Sequence, residues 1–383
     1  TASSQMNPRI AIDRTRGMPP PRSNAGLRRQ IMFGSHRRNL FFCSMRTGVL
    51  ILNVGSPEAP TTPALRVYLR QFLGDPRVLD MPAWKRWLLL HGIILRFRPK
   101  KSAEAYSKIW TTEGSPLIAH TRAFAAKLAA ELGPDYRIEY AMGVGNPSIG
   151  DRLESLLREP LHELIVFPMF PQYASATTGG MVEAVLRRLA PETNIPALRI
   201  AGSFFNHPAY LDAVAEVSAP VLAGINPDHV LFSYHGLPED QIRKSETTPD
   251  HCLSANDSCC AEYGAKNAFC YRAQCFATTR ALTERLRLPP QSFSMSFQSR
   301  LGRAVWIRPY TEETLQALAK HGVRRLAVLT PSFVSDCLET LEEIGIRGAE
   351  VFKKAGGESL HLVPALNSSE LWAKAAAKIL QNR

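Results

Sequence analysis

Three observations predict an α/β chain built from doubly wound parallel sheets. Short apolar runs alternate with segments of helical period almost throughout. The runs are too short and too uniformly apolar for half-exposed strands, which places them in parallel sheets covered on both faces. At 383 residues, one such sheet would be unusually large, so two domains are expected.

The chain opens with a leader. Residues 1–46 hold nine arginines, no lysine and one acid, Asp13, and so carry +8 of the formal +12; the remaining 337 residues carry an ordinary +4. Rich in Pro, Ser and Arg and without apolar periodicity, this stretch reads as disordered. An organelle transit peptide has the same composition. Met45, just before the first strand, admits a third reading, a start assigned too early. Nucleic acid is not expected as a partner, because no aromatic interleaving or docking motif accompanies the basic run.

The first domain, 47–205, takes strands at Val49–Val54, Tyr140–Val144 and Leu164–Met169, with helices over 62–73, 116–132, 149–158 and 179–190. The segment "MPAWKRWLLLHGIILRFRPKK", 81–101, interrupts it. Its apolar run, Trp87 to Leu95, is half of the roughly 20 residues a membrane span needs. Basic residues flank the run and Trp84 and Trp87 mark one end, as in a segment lying on an anionic membrane surface. A core helix with basic ends fits equally well. The break falls near "SFFNHPAY", 203–210. The second domain, 206–366, takes strands at Val230–Tyr234, Phe293–Phe297, Arg325–Thr330 and Leu360–Val363, with helices over 208–223, 273–287, 311–320 and 335–344. A C-terminal helix lies within 367–383.

Ligands of such folds bind beyond the carboxyl ends of strands, where several motifs sit. No GxGxxG or P-loop pattern occurs, which excludes a nucleotide cofactor of those classes. "FPQYASATTGG" opens a helix whose free N–H groups could hold an anion or simply be capped. "HGLPE" puts His235 at a strand end, placed for proton transfer or metal binding. "PSFVSDCLETLEEIG" sets Asp336, Glu339 and Glu343 at i, i+3 and i+7 of the expected helix. Like charges on one face repel by about 0.2–0.5 kcal/mol per pair, so the face is either solvated or used. Five of the seven cysteines fall within 24 residues: Cys252, Cys259, Cys260, Cys270 and Cys275. Without a secretory signal, a metal site is a better reading than disulfides. Four thiolates can hold zinc or an iron–sulfur cluster, and one of the adjacent pair is then spare.

Together, "LILNVGSPEAP", "FPQYASATTGG", "LFSYHGLPE", "SFQSRLGRAVWIRPYT" and "SFVSDCLETLEEIG" resemble the ferrochelatases, which insert ferrous iron into protoporphyrin to make haem. The resemblance runs from about Gly48 to the C-terminus. It implies two Rossmann-like domains facing across a porphyrin cleft, with protoporphyrin IX and Fe²⁺ as substrates. His235 corresponds to the proton acceptor or iron ligand, Glu339 to its partner across the cleft, and Glu343 and Asp336 to an acidic path for protons or metal. Segment 81–101 corresponds to the lip over the porphyrin, which touches the bilayer in membrane-associated members. Metal insertion expels two pyrrole protons, so a base working near pH 7 is required, and an imidazole among carboxylates supplies one.

Insert 252–275 resembles the internal segment of microbial members that carry a [2Fe–2S] cluster. That implies Cys252, Cys260, Cys270 and Cys275 as ligands, with Cys259 able to replace Cys260. The same members imply a cytoplasmic protein peripheral to the inner membrane, or an organelle interior if the leader is a transit peptide. The chain departs from the family at Cys337, where histidine is frequent, at Gly143–Val144, where many members have Arg–Tyr, and at Val54 and Phe170. The alternatives are a chelatase for another tetrapyrrole such as coproporphyrin, and a haem or metal carrier without turnover.

Overall fold

The computed structural model describes residues 45–248, 251–253, 258–302 and 304–382. The leader expected over 1–46, apart from its last two residues, and Cys43 lie outside the described residues. Two four-stranded, all-parallel sheets form. The first contains β1 (Arg46–Gly55), β2 (Tyr136–Val144), β3 (Leu161–Pro168) and β4 (Ala197–Ile200) in the order β2-β1-β3-β4. The second contains β5 (His229–His235), β6 (Phe293–Gln298), β7 (Arg325–Leu329) and β8 (Ser359–Leu362) in the order β6-β5-β7-β8. The central strands are the uninterrupted apolar runs of the sequence: Val49 to Leu52 and Leu164 to Phe167 are wholly buried. β4 is absent from the sequence reading. It is a half-exposed edge strand paired to β3 alone, without the apolar run that marks a central strand.

Helices start where the sequence provides caps. Ser148 and Ser369 each accept a hydrogen bond from the backbone N–H three residues on, opening Ile149–Leu157 and Glu370–Gln381. Gly55 ends β1 at φ +105°, and a Cβ there would lie 1.9 Å from the Val144 carbonyl oxygen, so only glycine lets β1 and β2 close at this end.

One apolar core runs through both sheets, and the described residues form a single compact unit. Helix Glu370–Gln381 explains part of this. It follows the last strand yet returns to the first sheet, where Trp372 stacks on Phe124 at 5.4 Å and Lys127 pairs with Glu370 at 2.8 Å.

Segment 81–101 has one face in the core and one exposed. Ala83–Leu89 passes through a π-wound turn, Leu90–Ile94, into helix Leu95–Ser107. Leu90, Ile94 and Leu95 pack inward on Leu65 and Leu69, while Trp84, Trp87, Ile93 and Phe97 face outward, Phe97 at 73% exposure. Among the described residues, no helix is long and apolar enough to cross a membrane.

The expected helix 335–344 is corrected. A single α-turn, Leu338–Thr340, is followed by a π-helix, Leu341–Gly348, and then by Ala349–Lys354. The i→i+5 pattern of a π-helix widens the turn, and such segments recur at functional sites. Asp336 lies before the first turn, so the three acids do not form one α-helical stripe.

Candidate active site

The carboxyl ends of β1, β3, β5 and β7 open onto one cleft of about 1220 Å³ including its mouth, closed on the lip side by Tyr68 and Tyr106. Its lining is mostly apolar and aromatic, including Phe170, Trp306 and Phe333. Such a site suits a large flat ligand with few polar groups.

His235 ends β5 and lines the cleft. Its Nδ1 lies 2.6 Å from the Gly236 carbonyl oxygen. A carbonyl only accepts, so in the neutral ring Nδ1 carries the proton and Nε2 holds the basic lone pair. The ring centre lies 6.3 Å from those of Trp306 and Phe333. Gly236 is required there: a Cβ would sit 2.8 Å from the Gln298 carbonyl oxygen and 3.1 Å from Trp306.

Glu339 is the acid that shares this cleft with His235. Its charge acts on three buried groups. Burial, then Glu339, pushes the Tyr68 phenol and the Cys337 thiol above their ordinary values. Burial, the neighbouring Tyr68 and then Glu339 do the same to Tyr106. All three therefore remain protonated near neutrality, as hydroxyl and thiol groups around one carboxylate. Sequence reasoning did not find Tyr68 and Tyr106, because they belong to helices without a motif.

Glu343 and Asp336 are not on the cleft wall. Glu343 accepts from the Ser299 N–H at 2.8 Å, the Ser299 hydroxyl at 2.5 Å and Gln298 Nε2 at 3.3 Å. Gln298 also donates to the Glu339 carbonyl oxygen at 2.7 Å and accepts from the Ser233 hydroxyl at 2.8 Å. The "FQS" of the second-domain motif thus bridges the Glu339 backbone to Glu343. Asp336 is buried and accepts from the Thr340 hydroxyl at 2.8 Å, Asn367 Nδ2 at 2.7 Å and the Ala365 N–H at 3.3 Å.

Cys252, Cys259, Cys260, Cys270 and Cys275 are all buried. The Cys259 and Cys260 sulfurs lie 3.8 Å apart, and Cys270 is in hydrogen-bonding contact with both Cys252 and Cys260. Arg272 donates to the Cys260 sulfur at 3.4 Å. Burial pushes the Cys252 and Cys275 thiols up; the Cys270 hydrogen bond and then burial do so for Cys260. Among the described residues, no three His, Cys, Asp or Glu side chains are gathered to hold a metal ion. In chemical type alone, buried sulfurs with a guanidinium beside one of them are the groups an iron–sulfur cluster takes, four thiolates with the negative charge offset.

Comparison with known proteins agrees with this architecture. The Ferrochelatase family model matches residues 46–383. The chain is 43% identical over 334 residues to the Ferrochelatase of Coxiella burnetii (strain Dugway 5J108-111), covering 87% of this chain and 93% of that protein. It is 42% identical over 339 residues to the Ferrochelatase of Legionella pneumophila (strain Lens), covering 88% and 100%. With its apolar cleft, its strand-end histidine and a family match over nearly all the described residues, the chain belongs to the ferrochelatase family.

Proposed function

We infer that the protein inserts ferrous iron into protoporphyrin IX, releasing two protons, with His235 as the base. The placement of an Nδ1-protonated imidazole and one carboxylate, Glu339, in the same aromatic cleft carries this reading. The apolar walls bind the macrocycle by burial and leave binding energy for turning pyrrole nitrogens toward the incoming metal. Nε2 of His235 accepts a pyrrole proton. Glu339 accepts the second and, with His235, offers the nitrogen and oxygen donors that Fe²⁺ takes. Gln298 links the Glu339 backbone to Glu343, which we assign to passing charge onward through the Ser299 loop; Asp336 is a buried acid of the same segment. The exposed aromatic lip rests on an anionic membrane surface, which makes the protein peripheral to the cytoplasmic face of the inner membrane.

The cysteine block holds a [2Fe–2S] cluster on Cys252, Cys260, Cys270 and Cys275, or with Cys259 in place of Cys260. Bound there, the cluster would supply a rigid, redox-active cross-link for the insert. One experiment tests both assignments. The visible spectrum of anaerobically purified protein should show iron–sulfur bands, and added Fe²⁺ and protoporphyrin should convert to a haem spectrum. In His235→Ala, conversion should fall by about 10²–10⁴-fold while the Soret shift of porphyrin binding persists. Conversion at a near-normal rate in that variant would remove His235 as the base. Conversion without the initial bands would return the cysteines to a zinc site or unliganded thiols.

A further inference from the structure

The base is only as well placed as its peptide, and that peptide is held from both sides. The His235 N–H donates to the Ser332 hydroxyl at 3.2 Å, and its carbonyl accepts from the Tyr271 hydroxyl at 2.8 Å. The imidazole is bonded to the Gly236 carbonyl one residue on, so the ring is tied to the same stretch of backbone. Tyr271 is buried, lines the cleft and is the first residue of helix Tyr271–Arg285. Cys270 immediately precedes it. Cys275 stands four residues on, on the same helix face, and its sulfur is in hydrogen-bonding contact with the Tyr271 hydroxyl.

We propose that Tyr271 is a positioning residue that fixes the His235 backbone. A phenol has one proton to donate, and the His235 carbonyl accepts from it at 2.8 Å, while the Ser332 hydroxyl accepts from the His235 N–H on the other side. Without these two bonds the strand end that carries the imidazole is free to shift. Gln274, in the same turn, accepts from the Tyr173 N–H at 2.7 Å, and neither residue lines the cleft. It provides a control that touches neither His235 nor its carbonyl.

The proposal rests on His235 being the base, and the test separates the two. In the full chain as purified, Tyr271→Phe should lower kcat about tenfold while the porphyrin KM stays within about twofold, the signature of a misplaced reacting group. With ¹⁵N-labelled histidine, the ring resonance missing from His235→Ala should move in Tyr271→Phe and in Ser332→Ala, and stay in place in Gln274→Ala. An unmoved resonance and unchanged kcat in Tyr271→Phe would overturn the positioning role; should that variant not fold, an unmoved resonance in Ser332→Ala does so. Insertion surviving in His235→Ala would instead remove the base assignment and leave the resonance result standing.

Discussion

Asp336 and Glu339 lie three residues apart in quite different surroundings. Glu339 faces the cleft beside Tyr68, Tyr106 and Cys337, whose hydroxyl and thiol groups stay protonated. Asp336 is closed in by the Thr340 hydroxyl, the Asn367 amide and the Ala365 N–H. Asp336→Asn would turn an acceptor into an amide donor facing another donor. It should destabilise the protein by about 2 kcal/mol, read as a lowered urea midpoint, while the folded fraction still inserts iron. Loss of insertion with an unchanged midpoint would place Asp336 in the proton route instead. Their acidity was legible in the sequence. The division of roles was not, because it depends on Asn367 and Tyr68, far away along the chain.

At the scale of elements, the base of the second sheet carries a pH-dependent tie. Asp228, just before β5, accepts from the Arg324 and Arg325 N–H groups at 3.0 and 2.8 Å and from the Arg325 guanidinium at 2.9 Å. The Arg325 backbone and then its side chain hold the Asp228 carboxyl below the ordinary carboxylate range. A depressed folded value means that the unfolded chain binds the proton first. The tie is therefore fully present above the unfolded value, near 3.9, and is lost as pH falls through the folded one. Because the Asp228 side chain is 34% exposed and screened by solvent, Asp228→Asn should cost at most about 1 kcal/mol at pH 7. Urea midpoints of the two proteins should converge below about pH 4; a constant gap would show that charge is not what the site uses. Strand positions such as β5 and β7 were visible as apolar runs. The π-helix Leu341–Gly348 was not, because its residues satisfy helical periodicity either way and its widening is set by what packs around it.

At the scale of the whole molecule, the proposed membrane contact rests on the lip. Trp84, Trp87 and Phe97 are 61–73% exposed on a segment rich in Lys and Arg, an arrangement that partitions into anionic interfaces. Vesicles containing phosphatidylglycerol should bind the protein, and rising salt should weaken binding. The double variant Trp87→Ala, Phe97→Ala should reduce partitioning by at least about tenfold, since each aromatic contributes roughly 1.5–3 kcal/mol when buried. Unchanged partitioning would assign the lip to covering the cleft alone.

The sequence by itself determined what depends on neighbours along the chain. The apolar runs became parallel strands, His235 was legible from its place after such a run, and the crowded cysteines stood out by spacing. Only the tertiary structure decided which groups meet. The Gln298 bridge between Glu339 and Glu343, the phenols of Tyr68 and Tyr106 around that acid, and the hold of Tyr271 on the His235 carbonyl join residues from separate elements. Burial then sets their protonation, and burial belongs to the folded whole rather than to any segment of it.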